Sequence, residues 1–292
     1  MMQRAAWAAV AVASLLVVVK AVAYIVTDSI AMMSSLADSA LDVFTSSINL
    51  LAIRHALMPA DREHRFGHGK AEPLAGLFQA AFISGSVAFL LIESASRLIA
   101  PHKVEQPVVG IAVMVAAIAV TLALVAFQQL TVRRTNSVAV GADRMHYVGD
   151  LLVNGGVIVG IFLSSQFGWL EADPVIGIAI SVILAWSAWT VFVQSYNQLM
   201  DRELPDDQRD RIKSVVLRHA EVRNIHDLRT RAAGINTFIQ FHIELDPTIS
   251  LLRAHEVSDQ VEADVCAAFP HAQVIIHQDP AGLEQPPVFA RG

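Results

Sequence analysis

Six stretches of this chain are apolar over about 20 residues, the length a helix needs to cross a bilayer. Residues 106–132 and 174–200 each run 27 residues without a charge, and 151–170 and 73–92 each run 20. Residues 5–26 are interrupted only by Lys20, which can snorkel or face a protein interior. The stretch 29–53 is different, because it spans only if Asp38 and Asp42 are accepted near its middle. The fifth hydrophobic helix likewise reaches full length with His146 and Asp150 included at its start.

Beyond residue 200 the pattern changes period. Asp201 to Pro205 reads as a short charged linker, with Pro205 placed to open a helix. Residues 206–219 carry Ile212, Val215, Val216 and His219 on related helical turns. Residues 238–245 alternate: Ile239, Phe241, Ile243 and Leu245 face one way, and Gln240, His242 and Glu244 the other, as in a half-buried strand. Residues 251–269 read as a second helix with Ser250 as N-cap, and 274–279 as a strand with His277 and Asp279 on one face. With a strand at 227–231, the order is helix, strand, strand, helix, strand, and a small α+β domain follows. The chain thus divides into a six-helix membrane domain, 1–200, and a soluble domain, 201–292.

Composition agrees with that division. The chain is 54% hydrophobic and 16% charged, with a mean hydropathy of +0.49, whereas soluble domains carry about 25% charged residues. The first 200 residues hold 11 basic and 12 acidic residues, and the last 92 hold 10 and 15. A net charge of −6 gives no electrostatic footprint for a nucleic acid. The single Cys266 excludes an intramolecular disulfide and a cysteine-based zinc finger. Metal chemistry would therefore fall to the 11 histidines and neighbouring carboxylates. The first 23 residues imitate a signal peptide, with Arg4 and an Ala-Val-Ala ending, but Lys20 breaks the apolar stretch and a membrane anchor is the simpler reading. Arg54, Arg62, Arg65 and Lys70, then Arg133, Arg134 and Arg144, load the loops on one side, while the turn at Thr27 and Asp28 and the segment 166–173 have no basic residue. Despite Arg97 and Lys103 on the opposite side, six spans with both termini cytoplasmic fit best.

An aspartate at a helix centre costs about 2.5–3.5 kcal/mol on insertion scales, so two on one helix need partners. Residues four apart share a helix face. Asp38 and Asp42 therefore stack one turn apart, as do His146 and Asp150, and two such helices face to face bring three carboxylates and one imidazole around a point. That donor set suits zinc, and ferrous iron or cadmium less decisively. Gly156 and Gly160 permit close helix approach nearby. The alternative is a hydrogen-bonded structural cluster in which Asp38 bonds Ser34, Ser35 or Ser39. Lys20 and Glu93 have no spaced companion and are given no role. Between the second and third spans, Asp61, His64 and His68 converge on a cation if Gly67 and Gly69 let the loop curl, although a polar loop alone explains them equally well. In the soluble part His226, His242, His255, His277 and Asp279 are candidates for a metal cluster, while each histidine taken singly is more often a surface or capping residue. His255-Glu256 imitates half of a zincin helix, whose second histidine is absent.

Together, Asp38-x-x-x-Asp42, His146-x-x-x-Asp150, Asp61-x-x-His64-x-x-x-His68-Gly-Lys, His226-Asp-Leu-Arg-Thr-Arg and Ile-Ile-His277-Gln-Asp279-Pro resemble the cation diffusion facilitators, above all their bacterial zinc and iron efflux members. The resemblance runs from about residue 14 to residue 280. It implies a homodimeric metal/proton antiporter of the bacterial inner membrane, with six transmembrane helices and a ferredoxin-like cytoplasmic domain, and not an enzyme. Zn2+ would be both substrate and regulatory ion, with Fe2+ or Cd2+ as alternatives, and the partners would be a second copy, membrane lipid, divalent metal and protons. By the same resemblance Asp38, Asp42, His146 and Asp150 are the transport site and Asp61, His64 and His68 a loop site. His226, His242, His255, His277 and Asp279 form a binuclear site between two soluble domains, and Lys70 with Asp201 an interlocking charge pair. Met145, beside the transport histidine, departs from the leucine expected there. A membrane metal sensor or structural metal-binding dimer, without transport, is the alternative function. A proton-coupled carrier of an organic solute is a third, disfavoured because the spans show no basic pocket for an anion.

Overall fold

The computed structural model describes residues 1–27, 30–99, 108–167, 169 and 171–282. Asp28 and Lys103, used above for orientation, and residue 106, where one apolar stretch begins, lie outside them, as does the side chain of Ser34. The chain forms two compact units, Met1–Tyr196 and Asn197–Gly292.

The first unit is built from six long helices: α1 Met2–Thr27, α2 Ile30–Ala56, α3 Ala71–Ile99, α4 Val108–Thr135, α5 Val138–Phe167 and α6 Ala172–Leu199. Among the described residues five stretches are long and apolar enough to cross a membrane: Met2–Val26, Ser35–Ala56, Ala71–Ile99, Ala112–Thr135 and Pro174–Leu199. The second has the lowest hydropathy, 1.3, because Asp38 and Asp42 sit inside it. Helix α5 matches the others at 30 residues, about 45 Å at the helical rise, but carries Asp143, Arg144 and Asp150 in its first half. Large apolar side chains such as Ile92, Trp186 and Trp189 remain exposed on the bundle's outside, where hydrocarbon rather than water is their natural surrounding.

Small residues set the helix spacing. Ala5, Ala9 and Ala13 recur every fourth position on α1 and are fully buried, with Ala9 against Leu124 of α4 and Tyr147 of α5. A Cβ on Gly156 would fall 2.5 Å from Ile180 Cδ1, and one on Gly149 would fall 2.9 Å from Leu184 Cδ2. Both glycines thus leave room on α5 for the side chains of Ile180 and Leu184 of α6. Two polar anchors then fix α5. At its start, the Ser137 hydroxyl accepts from Val140 N at 3.2 Å and itself donates to the buried carboxylate of Glu72 on α3, which also accepts from Ala139 N at 3.3 Å. Glu72 thereby completes the N-terminal cap of another helix. Further along, the Tyr147 hydroxyl meets Ser46 Oγ of α2 at 2.8 Å and donates to the Ala9 carbonyl of α1 at 3.3 Å. Glu93 does have a companion, contrary to the expectation above: Arg97, one turn on, donates to it at 2.9 Å.

The second unit orders α7 Asp206–Val216, β1 Asn224–Ala233, β2 Asn236–Leu245, α8 Leu251–Ala268 and β3 Ala272–Pro280, which is the sequence of elements the periodicity predicts. The sheet order is β1-β2-β3, antiparallel then parallel. Phe241, Ile243 and Leu245 of β2 pack with Val257, Val261 and Val265 of α8 and Ile212, Val215 and Val216 of α7. Ser250 caps α8 by accepting from Arg253 N, as its position suggests. Helix α7 ends at Val216, leaving His219 in the turn beyond. Strand β1 is longer than the expected 227–231, and it is bulged between His226 and Arg229, with Asp227 at φ +48°.

Candidate metal centres

The α2–α5 contact builds the membrane site. Asp42 and His146 are brought together by the helix pair that Ser46, one turn beyond Asp42, and Tyr147, next to His146, tie together, and His146 Nε2 lies 2.9 Å from Asp42 Oδ1 and 3.7 Å from Asp150 Oδ2. The imidazole is buried and meets the Phe82 ring edge-on, with centroids 5.5 Å apart. Ligand atoms of Asp42, His146 and Asp150 all fall within 4.8 Å of one another. Asp38 is outside that trio, more exposed, and lines the same cavity of about 670 Å3. Four-residue spacing thus sets both carboxylates toward one cavity without placing them equally near the imidazole. Met145 packs beside the site against α3 and α6.

Lys20 also faces this cavity. Its ammonium donates to Ser39 Oγ at 2.7 Å and to the Ser35 carbonyl at 3.2 Å. No spacing rule within α1 could reveal it, because its partners stand on α2. A cation held among three carboxylates by hydroxyl and carbonyl oxygens lowers the net negative charge of the cavity without occupying a ligand atom.

The loop between α2 and α3 curls as its glycines allow, Gly67 standing at φ +79°. Asp61 Oδ1 accepts from Glu63 N at 2.9 Å and His64 N at 2.6 Å. Chiefly through the His64 amide, these bonds hold the Asp61 carboxyl below the ordinary range. His64 Nδ1 lies 3.5 Å and His68 Nε2 3.3 Å from this carboxylate. These three residues form a second group with ligand atoms within 4.8 Å.

In the second unit the strand register does the gathering. His226 pairs with His242 across the antiparallel ladder and His242 with His277 across the parallel one, so three imidazoles lie abreast. Asp279 closes the group, with His242 Nδ1 at 2.8 Å, His226 Nε2 at 3.2 Å and His277 Nε2 at 3.4 Å from its carboxylate oxygens. His226, His242 and Asp279 meet the 4.8 Å criterion as a trio. Glu244, unassigned from sequence, adds a carboxylate 3.3 Å from His226 Nδ1. His255 stands apart. It is exposed on α8 beside Asp259 of its own helix, at 3.5 Å. The reason is topological: α8 packs on the face of the sheet that carries Phe241 and Gln278, and side chains of successive strand residues point oppositely. Asp201 lies 3.4 Å from the Arg231 guanidinium within this unit, and Lys70 closes the loop before α3 in the other.

The family profile described as cation efflux transmembrane domain matches residues 6–200, and that of the cation efflux protein cytoplasmic domain matches 204–281. The Cation-efflux pump FieF of Cronobacter sakazakii is 44% identical over 292 residues, covering 100% of this chain and 96% of that protein. The protein of the same name from Shewanella oneidensis is 46% identical over 277 residues, covering 95% and 93%. Among solved structures, the metal-bound C-terminal domain of the CzcD transporter from Thermotoga maritima is 31% identical, covering 27% of this chain and 93% of that domain, with a TM-score of 0.26.

Proposed function

The chain belongs to the cation efflux family and is a cation efflux transporter rather than an enzyme, and on that premise we propose that it exports zinc in exchange for protons through the cavity between α2 and α5. The observation that carries this reading is His146 Nε2, buried and set 2.9 Å from Asp42 and 3.7 Å from Asp150. With Asp38 lining the same cavity, the donors are three carboxylates and one imidazole. Such a set takes a tetrahedral divalent ion, and its lack of thiolate favours release over storage.

Ligands must shed protons to bind metal, so loading and proton release are one event. In the inward-facing state Asp42, His146 and Asp150 give up protons to the cytoplasm and take the ion. In the outward-facing state protons from outside displace it. The groups titrate together as a set, and no single member owns the proton exchanged. The spans number six, α5 included, with both termini in the cytoplasm of a bacterial inner membrane. His226, His242, His277 and Asp279 form a cytoplasmic zinc centre on the uncovered sheet face, and His255 joins it when two chains pair as a homodimer. Metal there biases the transport equilibrium only by its different affinity for the two states. Asp61, His64 and His68 hold a further ion, and Lys70 with Asp201 contributes the interlocking charges.

The test is flux into liposomes carrying an imposed pH gradient, with zinc, ferrous iron, cadmium and manganese in turn. Zinc flux should rise with the gradient and fall when an ionophore collapses it. Zinc flux indifferent to the gradient would sink proton exchange, and a larger flux of ferrous iron would reassign the substrate. For the cytoplasmic centre, His242→Ala in the full chain should abolish zinc-dependent tightening of the dimer in detergent, as read by sedimentation. Equal zinc dependence in both proteins would remove that role.

A further inference from the structure

One imidazole beside the loop centre has no part in the reading above. His55 belongs to the last turn of α2 and is exposed. Its ring stands edge-on to that of His68, with centroids 4.6 Å apart and planes at 68°. His64 approaches the same His68 ring with centroids also 4.6 Å apart. Three imidazoles are therefore gathered side by side, two of them, His64 and His68, within 3.5 Å of the Asp61 carboxylate.

His68 supplies a second observation. Its side chain is only 3% exposed, its Nε2 lies 3.3 Å from Asp61 Oδ2, and its Nδ1 is buried without a hydrogen-bond partner. An unmet buried donor or acceptor is costly, and it marks His68 as a group whose surroundings are incomplete. Asp61, His64 and His68 supply three protein ligands, and a tetrahedral ion takes four: water or substrate fills the last place in an exchanging site, a protein group in a closed one. His55 starts outside the trio whose ligand atoms fall within 4.8 Å. Its backbone is fixed by the helix while its exposed side chain is free to turn toward His68. The carbonyl end of α2 also favours positive charge.

We propose that His55 is the fourth protein ligand of the loop centre, making it a closed site of three imidazoles and one carboxylate for a zinc-class divalent cation. This rests on the reading of Asp61, His64 and His68 as a metal site. Occupancy then ties the end of α2, the helix that carries Asp38 and Asp42, to the loop leading into α3.

The experiment uses Co2+ as a spectroscopic probe on the full chain in detergent, with Asp42→Ala, Asp150→Ala and His242→Ala silencing the other two centres. The parent should bind one Co2+ with the intense visible bands of a tetrahedral site. His55→Ala, which substitutes a good helix former at an exposed position, should weaken binding by about tenfold or more, as losses around metal sites do, and flatten the bands as water enters. Unchanged affinity and spectrum in His55→Ala, with binding abolished by His68→Ala, would overturn the role of His55 and leave the three-residue site standing. Indifference to both substitutions would overturn the site itself and the proposal with it.

Discussion

Asp150→Ala is expected to lower the initial rate of metal flux in reconstituted vesicles by about a hundredfold or more while leaving metal binding at the loop and cytoplasmic centres intact. The magnitude follows from the geometry. His146 Nε2 stands between two carboxylates, 2.9 Å from Asp42 and 3.7 Å from Asp150. Losing a group that merely supports a metal ligand costs about 10–100-fold in metal affinity or activity, and losing a ligand itself should cost at least as much. On the proposed reading the cavity also loses the carboxylate on the same helix face as His146, leaving two donors one turn apart on α2, Asp38 and Asp42, and one on α5, His146. Asp150→Asn keeps the shape and removes the charge, and should fall nearly as far. Because the loop group and the second unit's group lie elsewhere in the chain, metal bound per chain should drop while the protein remains folded. Wild-type flux from Asp150→Ala would show that ions cross by some route other than this cavity.

Much of this site was legible in the sequence because its chemistry follows helical period. Asp38 and Asp42, and His146 and Asp150, announce themselves as charges in apolar stretches, and four-residue spacing assigns each pair to one face. What spacing cannot convey is the partner's distance. Asp38 obeys the same rule as Asp42 yet stays outside the trio with ligand atoms within 4.8 Å. Lys20 was given no role because its partners, Ser35 and Ser39, belong to another helix. His55 lay among helix-terminal basic residues and shows its significance only through the fold of the loop onto it. In the second unit the clean alternation of β2 predicted its buried face, whereas β1 carries a bulge that no alternation rule anticipates. His255 belongs to the candidate cluster by its place near a helix start and by the family resemblance, and the packing of α8 sets it apart within one chain.

Glu72→Leu should cost about 2–4 kcal/mol of stability, although Glu72 belongs to none of the three candidate metal groups among the described residues. Its carboxylate is 1% exposed and serves the Ser137 hydroxyl and the Ala139 amide at the start of α5. Leucine preserves bulk but leaves those buried donors unmet, at about 1–3 kcal/mol each before relaxation. Thermal inactivation in detergent is the suitable measure, since unfolding of such a protein is read as a rate. The order should be wild type, then Glu72→Gln, whose amide oxygen can still accept, then Glu72→Leu. Equal rates for all three would mean that the cap contributes nothing. Flux should fall in the same order, because the helix being capped is the one that presents His146 and Asp150.

The bulge in β1 has a final consequence, one of parity. Opposite β2, the register runs Ile243, His242, Gln240, Ile239 against Ile225, His226, Arg229, Thr230. Three steps on one strand thus match two on the other, and the extra residue exchanges odd for even. With strict alternation from Arg229 backward, Ile225 would stand on the open face and His226 would point into the apolar core. The inserted residue moves Ile225 to the core side, where it packs, and delivers His226 to Asp279 and Glu244. A single peptide unit therefore decides whether the sheet presents an imidazole or an isoleucine to its candidate metal face.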